Sequence, residues 1–169
     1  MLGTALPCLL CFKEASVIEP PRIVETSQQH TAVIHLTVTM QDMVRAIDPA
    51  IQEILAVLRG QDMAPSGPMF TYHFRRPTDT FDFEVGFPVR RPITPTGRVK
   101  PARLPAARVA RTVHQGGYEG LPCAWGELDE WMKSEGLHQH ATLWEVYLRG
   151  PESGQDSGNW RTELNRPIS

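Results

Sequence analysis

Two side chains able to do acid–base or ion-pairing chemistry stand two residues apart in the run Leu143-Trp144-Glu145-Val146-Tyr147-Leu148. Side chains alternate faces along an extended strand, so Leu143, Glu145 and Tyr147 share one face and Trp144, Val146 and Leu148 the other. The second set is wholly apolar, which turns it toward covering helices and leaves Glu145 and Tyr147 facing an open groove on the other side. A carboxylate among aromatic rings is costly to bury unless paired. It attracts a desolvated cation, helped by nearby ring faces, or it keeps its proton and serves as a general acid. The plain alternative is an exposed strand glutamate in an ordinary salt bridge.

A second aromatic run, Met69-Phe70-Thr71-Tyr72-His73-Phe74, offers matching positions. Thr71 and His73 fall where Glu145 and Tyr147 fall in the other run, so His73 is a candidate ligand contact. Strict alternation puts Tyr72 with Phe70 and Phe74 on the core face, and Tyr72 reaches a pocket only through a bulge or twist. Tyr118 follows Gly116-Gly117 at a helix entrance, where its hydroxyl can reach a groove. His114 with those glycines lacks the G-x-x-x-x-G-K-S/T spacing of a phosphate cradle and reads as the end of a strand before a turn that needs permissive backbone. His138 and His140 have no third partner at zinc spacing, so no metal is expected, and no motif calls for a cofactor. Cys8-x-x-Cys11 lacks a βαβ context for redox work, and Cys123 stands alone. Three cysteines form no framework, which suits unpaired thiols in a reducing, cytoplasmic setting.

One unit written twice positions these groups. A β-branched run, Ala32 to Val38, and an alternating run, Ala107 to Val113, each lead into a helical pattern. Ile47, Ile51, Ile54, Leu55 and Leu58 form one apolar stripe; Leu121, Ala124, Trp125, Leu128, Trp131 and Met132 form the other. Pro49 and Pro122 are placed near the helix starts, and Gly60 and Gly136 at their ends. Each helix precedes one of the aromatic strands, and each unit closes on a strand that ends in proline plus a β-branched residue, Phe83 to Val89 and Thr162 to Ile168. Pro49 matches Pro122, Leu55 matches Leu128, Leu58 matches Trp131 and Phe70 matches Trp144, all at an offset of 73 or 74 residues. The expected fold is α+β: a duplicated strand–helix–strand–strand unit with pseudo-twofold symmetry. It forms an antiparallel-rich sheet with two helices on one face and a ligand groove between halves. Residues 1–21 form an N-terminal extension and 22–169 the domain, with halves at about 22–92 and 99–169. Between the halves, Arg90 to Leu104 is basic and proline-rich and reads as an exposed linker.

Composition excludes other classes. The 169 residues carry 17 basic and 19 acidic side chains, a net charge of -2, which gives no electrostatic footprint for direct nucleic-acid binding. Leu6 to Phe12 is apolar but too short to cross a membrane, and no lysine-rich amphipathic stretch points to a membrane surface. Exposed sheet edges leave a homodimer open.

Read in order, several segments carry a resemblance. These are Val113-His114-Gln115-Gly116-Gly117-Tyr118-Glu119-Gly120-Leu121, Trp125-x-x-Leu128-x-x-Trp131, Trp144-Glu145-Val146-Tyr147-Leu148 and Trp160-Arg161-Thr162-Glu163-Leu164-x-x-Pro167-Ile168. With Tyr72-His73 and Phe83-Glu84-Val85-Gly86-Phe87-Pro88-Val89, the chain from Arg22 to Ser169 resembles the GyrI-like family. That family includes the effector-binding domains of bacterial multidrug-sensing and AraC-type regulators. The resemblance implies a groove for aromatic, amphipathic or cationic drug-like compounds, with Glu145 as polar anchor. It implies ligand contacts at Tyr147, Tyr118, His73, Tyr72, Trp125 and Phe87, Trp125 doubling as a core position on its helical stripe. Some free-standing members are similar in being hydrolases of cyclopropane-bearing toxins; here that role would fall to Glu145 and Tyr147 as catalytic residues. Others are inhibitors that bind an enzyme such as DNA gyrase. Residues 1–21 are too few for a helix-turn-helix, so the chain reads as a free-standing sensor or sequestering domain.

Overall fold

The computed structural model describes residues 18–169; Cys8, Cys11 and the Leu6 to Phe12 run lie outside the described residues. The first half contributes β2 (Gln29–Thr39), α1 (Met40–Gly60), β3 (Phe70–His73) and β4 (Thr80–Pro88). The second repeats the pattern with β6 (Arg108–Gln115), α2 (Leu121–Ser134), β7 (Leu143–Arg149) and β8 (Arg161–Pro167). Two further strands, β1 (Arg22–Glu25) and β5 (Lys100–Leu104), complete an eight-stranded sheet ordered β1-β6-β8-β7-β3-β4-β2-β5, with every neighbouring pair antiparallel. The halves read outward from the central β7–β3 pair in mirrored order, as the duplication requires.

Strands β1 and β5 exchange places between halves. β1, which leads into the first half, pairs with β6 of the second; β5, which leads into the second half, pairs with β2 of the first. The two connectors cross on the way. Thr26 N–H donates to Ala107 O (2.8 Å), Ala107 N–H donates to Thr26 Oγ1 (3.0 Å), and the Thr26 hydroxyl lies 3.0 Å from Pro105 O and 3.1 Å from Ala107 O. The segment expected as an exposed linker is thus partly built in: Ile93, Val99 and Leu104 are buried. Residues 18–21 are likewise held, since Glu19 N–H donates to Val113 O and Thr112 Oγ1 donates to Glu19 O.

Thr39 caps α1, accepting from Asp42 N–H at 3.3 Å while its hydroxyl donates to the Asp42 carboxylate at 2.8 Å. Pro49 sits mid-helix, not near the start as expected, because α1 begins at Met40. Ala50, Ile54 and Leu58 bury its stripe against Ala32, Ile34, Leu36, Phe83 and Val85. On α2, Ala124, Trp125, Leu128 and Met132 pack on Ala110, Leu143 and Leu164. The sheet register carries these contacts to a single face, so both helices lie on one side. Cys123, in the first turn of α2, is disulfide-bonded, which corrects its reading as a lone thiol; a disulfide needs proximity in space, not in sequence.

The helix-facing side of β7 is the reverse of that expected. Leu143 packs with α2, whereas Trp144 joins Val33, Phe70, Leu104 and Val109 in a separate cluster on the opposite face, with Tyr72 and Val146 against it. Alternation grouped the residues correctly. Apolarity alone chose the wrong side, because here the face without helices is also buried, under the crossing connectors. Glu145 and Tyr147 therefore point toward the helices.

A candidate cation-binding site between the helices

The central pair β3–β7 runs between the two helical lobes, and its register sets Thr71 opposite Glu145 and His73 opposite Leu143. Glu145 is 8% exposed and Thr71 and His73 less. Two neutral donors hold the carboxylate: Trp125 Nε1–H from α2 donates to Oε1 at 2.7 Å, and Tyr147 OH donates to Oε2 at 2.7 Å. Tyr147 lies 3.0 Å from Thr71 Oγ1, which lies 3.3 Å from His73 Nε2. Each hydroxyl has one proton. With Tyr147 donating to Glu145, Thr71 donates to Tyr147 and His73 Nε2–H donates to Thr71, so all the protons point toward the carboxylate.

That polarity fixes the His73 tautomer and leaves Nδ1 bare, a buried atom without a hydrogen-bond partner. Burial holds the imidazole below its ordinary titration range, against the pull of Glu145. Phe83 stacks on its ring (centroids 5.2 Å, 22°), with Phe81 tilted at 6.2 Å. Burial and Glu145 together push the Tyr147 phenol well above its usual range. Tyr118 is pushed up to about 12, by burial first and then by Glu152 and Glu145. Both phenols therefore stay donors across the physiological range.

Tyr118 closes the box. Its ring meets Tyr147 edge-on at 5.6 Å and tilts against Trp160 at 5.0 Å. The turn that presents it rests on His114, whose Nε2 lies 3.1 Å from Gly117 O. A Cβ at Gly120 would come within 2.8 Å of that imidazole, so glycine is needed for the close approach. His114 is a support for Tyr118.

Of the sequence candidates, Glu145, Tyr147, Tyr118, His73 and Trp125 come together here. Tyr72 does not: it stacks on Trp144 (5.9 Å, 25°) on the other face of the sheet. Phe87 packs with the first-half core around α1. Thr71 and Trp160 were missed as site residues. Strand parity with Glu145 pointed to Thr71, and Trp160 has no local signal, since a chain-distant turn brings it in. Among the described residues no basic side chain forms an ion pair with Glu145, and no three His, Cys, Asp or Glu side chains could hold a metal ion. The result is a carboxylate in an aromatic box, satisfied only by neutral donors.

A family model described as a GyrI-like small molecule binding domain matches residues 19–169. The chain belongs to the GyrI-like family. Its fold is that of the EcmrR C-terminal domain (TM-score 0.80, 21% identity, 89% of this chain and 97% of that one). Against the EcmrR chain of an EcmrR–DNA complex the TM-score is also 0.80, but this chain spans 57% of that chain's length. SAV2435 bound to tetraphenylphosphonium is similar at TM-score 0.65 and 12% identity, over 89% of this chain and 94% of that one. A structure described as a hydrolase from Listeria innocua is similar at TM-score 0.65 and 15% identity, over 88% and 91%. Comparison with curated proteins finds no match. No helix among the described residues is long and apolar enough to cross a membrane.

Proposed function

We propose that this GyrI-like chain binds amphipathic cations of aromatic or drug-like character and acts as a sensor or sequestering protein, with Glu145 as the anchor. One observation carries the reading: a buried carboxylate held by two neutral donors, with no basic residue among the described ones paired to it. Neutral donors orient the charge without cancelling it, so a desolvated cation entering the box gains both the Coulomb attraction and the faces of Tyr118, Tyr147 and Trp125. The tetraphenylphosphonium bound by SAV2435 is a lipophilic cation of this class.

A hydrolase is the second reading, favoured by the His73–Thr71–Tyr147–Glu145 hydrogen-bond chain, which can pass or hold a proton beside the carboxylate. In it Glu145 orients water and Tyr147 stabilises developing negative charge. Mass spectrometry of the purified chain, incubated with tetraphenylphosphonium, other aromatic cations and cyclopropane-bearing electrophiles, separates the two. Binding without conversion, weakened by Glu145→Gln for cations but not for neutral analogues, supports the sensor. Conversion lost in Glu145→Gln makes the chain an enzyme, and binding indifferent to that substitution removes Glu145 from both readings.

A further inference from the structure

A cavity of about 480 Å³ lies on the face of the sheet away from the helices. Its floor is Phe70, Trp144 and Val146; its walls include Leu104, Pro105 and the Glu25 to Gln29 connector; at one end stand Arg111 and Glu163. It is separated from Glu145 by the thickness of the sheet, since Glu145 and Trp144 point to opposite faces.

The charged end sets Arg111 beside Glu163, with Arg22 next to Arg111 on the neighbouring strand. Arg111 is the direct cross-strand partner of Arg22, and like charges directly opposite one another repel. One carboxylate, Glu163, pairs with Arg111, its Oε1 3.4 Å from Arg111 Nε. Glu163 also accepts from Asn165 Nδ2 at 3.1 Å, while Asn165 Oδ1 takes the Arg111 Nε–H at 2.7 Å. The two Nη groups of Arg111 have no hydrogen-bond acceptor among the described residues. Glu25 borders the cavity too, but its register partner is Arg108, so its side chain leaves β1 on the opposite face from Arg22.

The duplication supplies an internal control. Aligned on Pro88 and Pro167, which end β4 and β8, the row Lys100–Val33–Gly86 of one half-sheet corresponds to Arg22–Arg111–Asn165 of the other. Valine and glycine satisfy the fold in that row. The arginine and asparagine are therefore not required to build the sheet, and Arg111 lines the cavity.

We propose that this cavity is a second binding site, for a flat aromatic carboxylate. The carboxylate sits between the Nη groups of Arg111 and Arg22, where a guanidinium offers paired N–H donors to two oxygens. The rings lie over Trp144, Val146 and Phe70. The volume suits a ligand of two or three fused rings. The chain then carries two sites of opposite charge preference, one on each face of its sheet.

Calorimetric titration of the full chain with 2-naphthoate, 2-naphthamide and 1-naphthylmethylammonium tests this, with tryptophan fluorescence as a second readout. Naphthoate is expected to bind and quench, with the neutral amide at least tenfold weaker. Arg22→Gln, on an exposed edge strand where folding is safe, weakens naphthoate severalfold; Arg111→Gln weakens it more. Glu145→Gln and saturating tetraphenylphosphonium leave it unchanged. Absence of binding up to millimolar naphthoate, equal binding of acid and amide, or loss of naphthoate binding in Glu145→Gln would each overturn the assignment. The last outcome would move the ligand to the helix side.

Discussion

Replacing Trp125 by Phe keeps a ring against Glu145 but removes the indole N–H that donates to Oε1 at 2.7 Å. A hydrogen bond to a charged acceptor contributes about 1.5–3 kcal/mol, so the variant should lose about 2 kcal/mol, with a smaller contribution from lost volume. For a domain of this size that corresponds to a fall in Tm of roughly 4–8 °C. Ligand affinity should move the other way. A cation drawn to Glu145 competes with the donors already there, and a carboxylate relieved of one donor has more to gain from it. If the whole 2 kcal/mol returned on binding, affinity would rise about 30-fold; a few-fold is expected, since the smaller ring contacts the ligand less. Calorimetry with tetraphenylphosphonium and with neutral triphenylphosphine oxide, alongside thermal melts, reads both effects. Equal losses of affinity for the cation and the neutral compound would refute the reasoning, leaving Trp125 as a ring platform and the charge of Glu145 as irrelevant to binding.

Three other outcomes follow from the same geometry. Because burial lowers the His73 titration, the unfolded chain takes up that proton first on acidification. Stability is therefore full above about pH 6.5 and falls as pH drops below it; urea melts should show a shallower slope between pH 5 and 7 in His73→Leu, and an unchanged slope would exclude His73 as the source. Gly86→Ala places a Cβ 2.2 Å from Ala32 O and 2.7 Å from Val33 Cγ1, and the Ala32 carbonyl cannot move without opening the β2–β4 ladder. A loss of at least about 3 kcal/mol is expected, and a normal urea midpoint would contradict the register. Arg76, from the β3–β4 turn, pairs with the mostly buried Asp129 on α2. Arg76→Ala should cost about 1–3 kcal/mol, and a double-mutant cycle with Asp129→Asn should show coupling; additivity would mean that the halves are not pinned there.

The duplication and the helices were legible because both rest on periodicity, which survives in one sequence. The stripes Ile47 to Leu58 and Leu121 to Met132 found their helices, and the offset of 73 or 74 residues made Thr71 the equivalent of Glu145. The site was legible as a set of residues, through parity and resemblance. Its side of the sheet was not, because Trp144 and Val146 look equally apolar whether helices or connectors cover them. The strands β1 and β5 were invisible for a related reason. Each is short, and each is ordered by a partner strand some 80 residues away in sequence, Arg22 by Arg111 and Leu104 by Gln29. Trp160 reaches Tyr118 by the same kind of long-range closure.

The exchange of β1 and β5 makes the two halves mutually incomplete. Cut between residues 90 and 99, each fragment would keep a helix and three strands but surrender the strand that guards its own outer edge. The first fragment would hold β1 with no β6 to pair with, and the second β5 with no β2. Neither piece is a smaller version of the whole. Two identical copies of one half, each lending its leading strand to the other, could close the same eight-stranded sheet, with two copies of one central strand paired across a true twofold axis. In that form the two central positions would necessarily be alike. Joining the copies into one chain is what allows Thr71 to face Glu145, a single negative charge set against a neutral hydroxyl on what would otherwise be a symmetry axis.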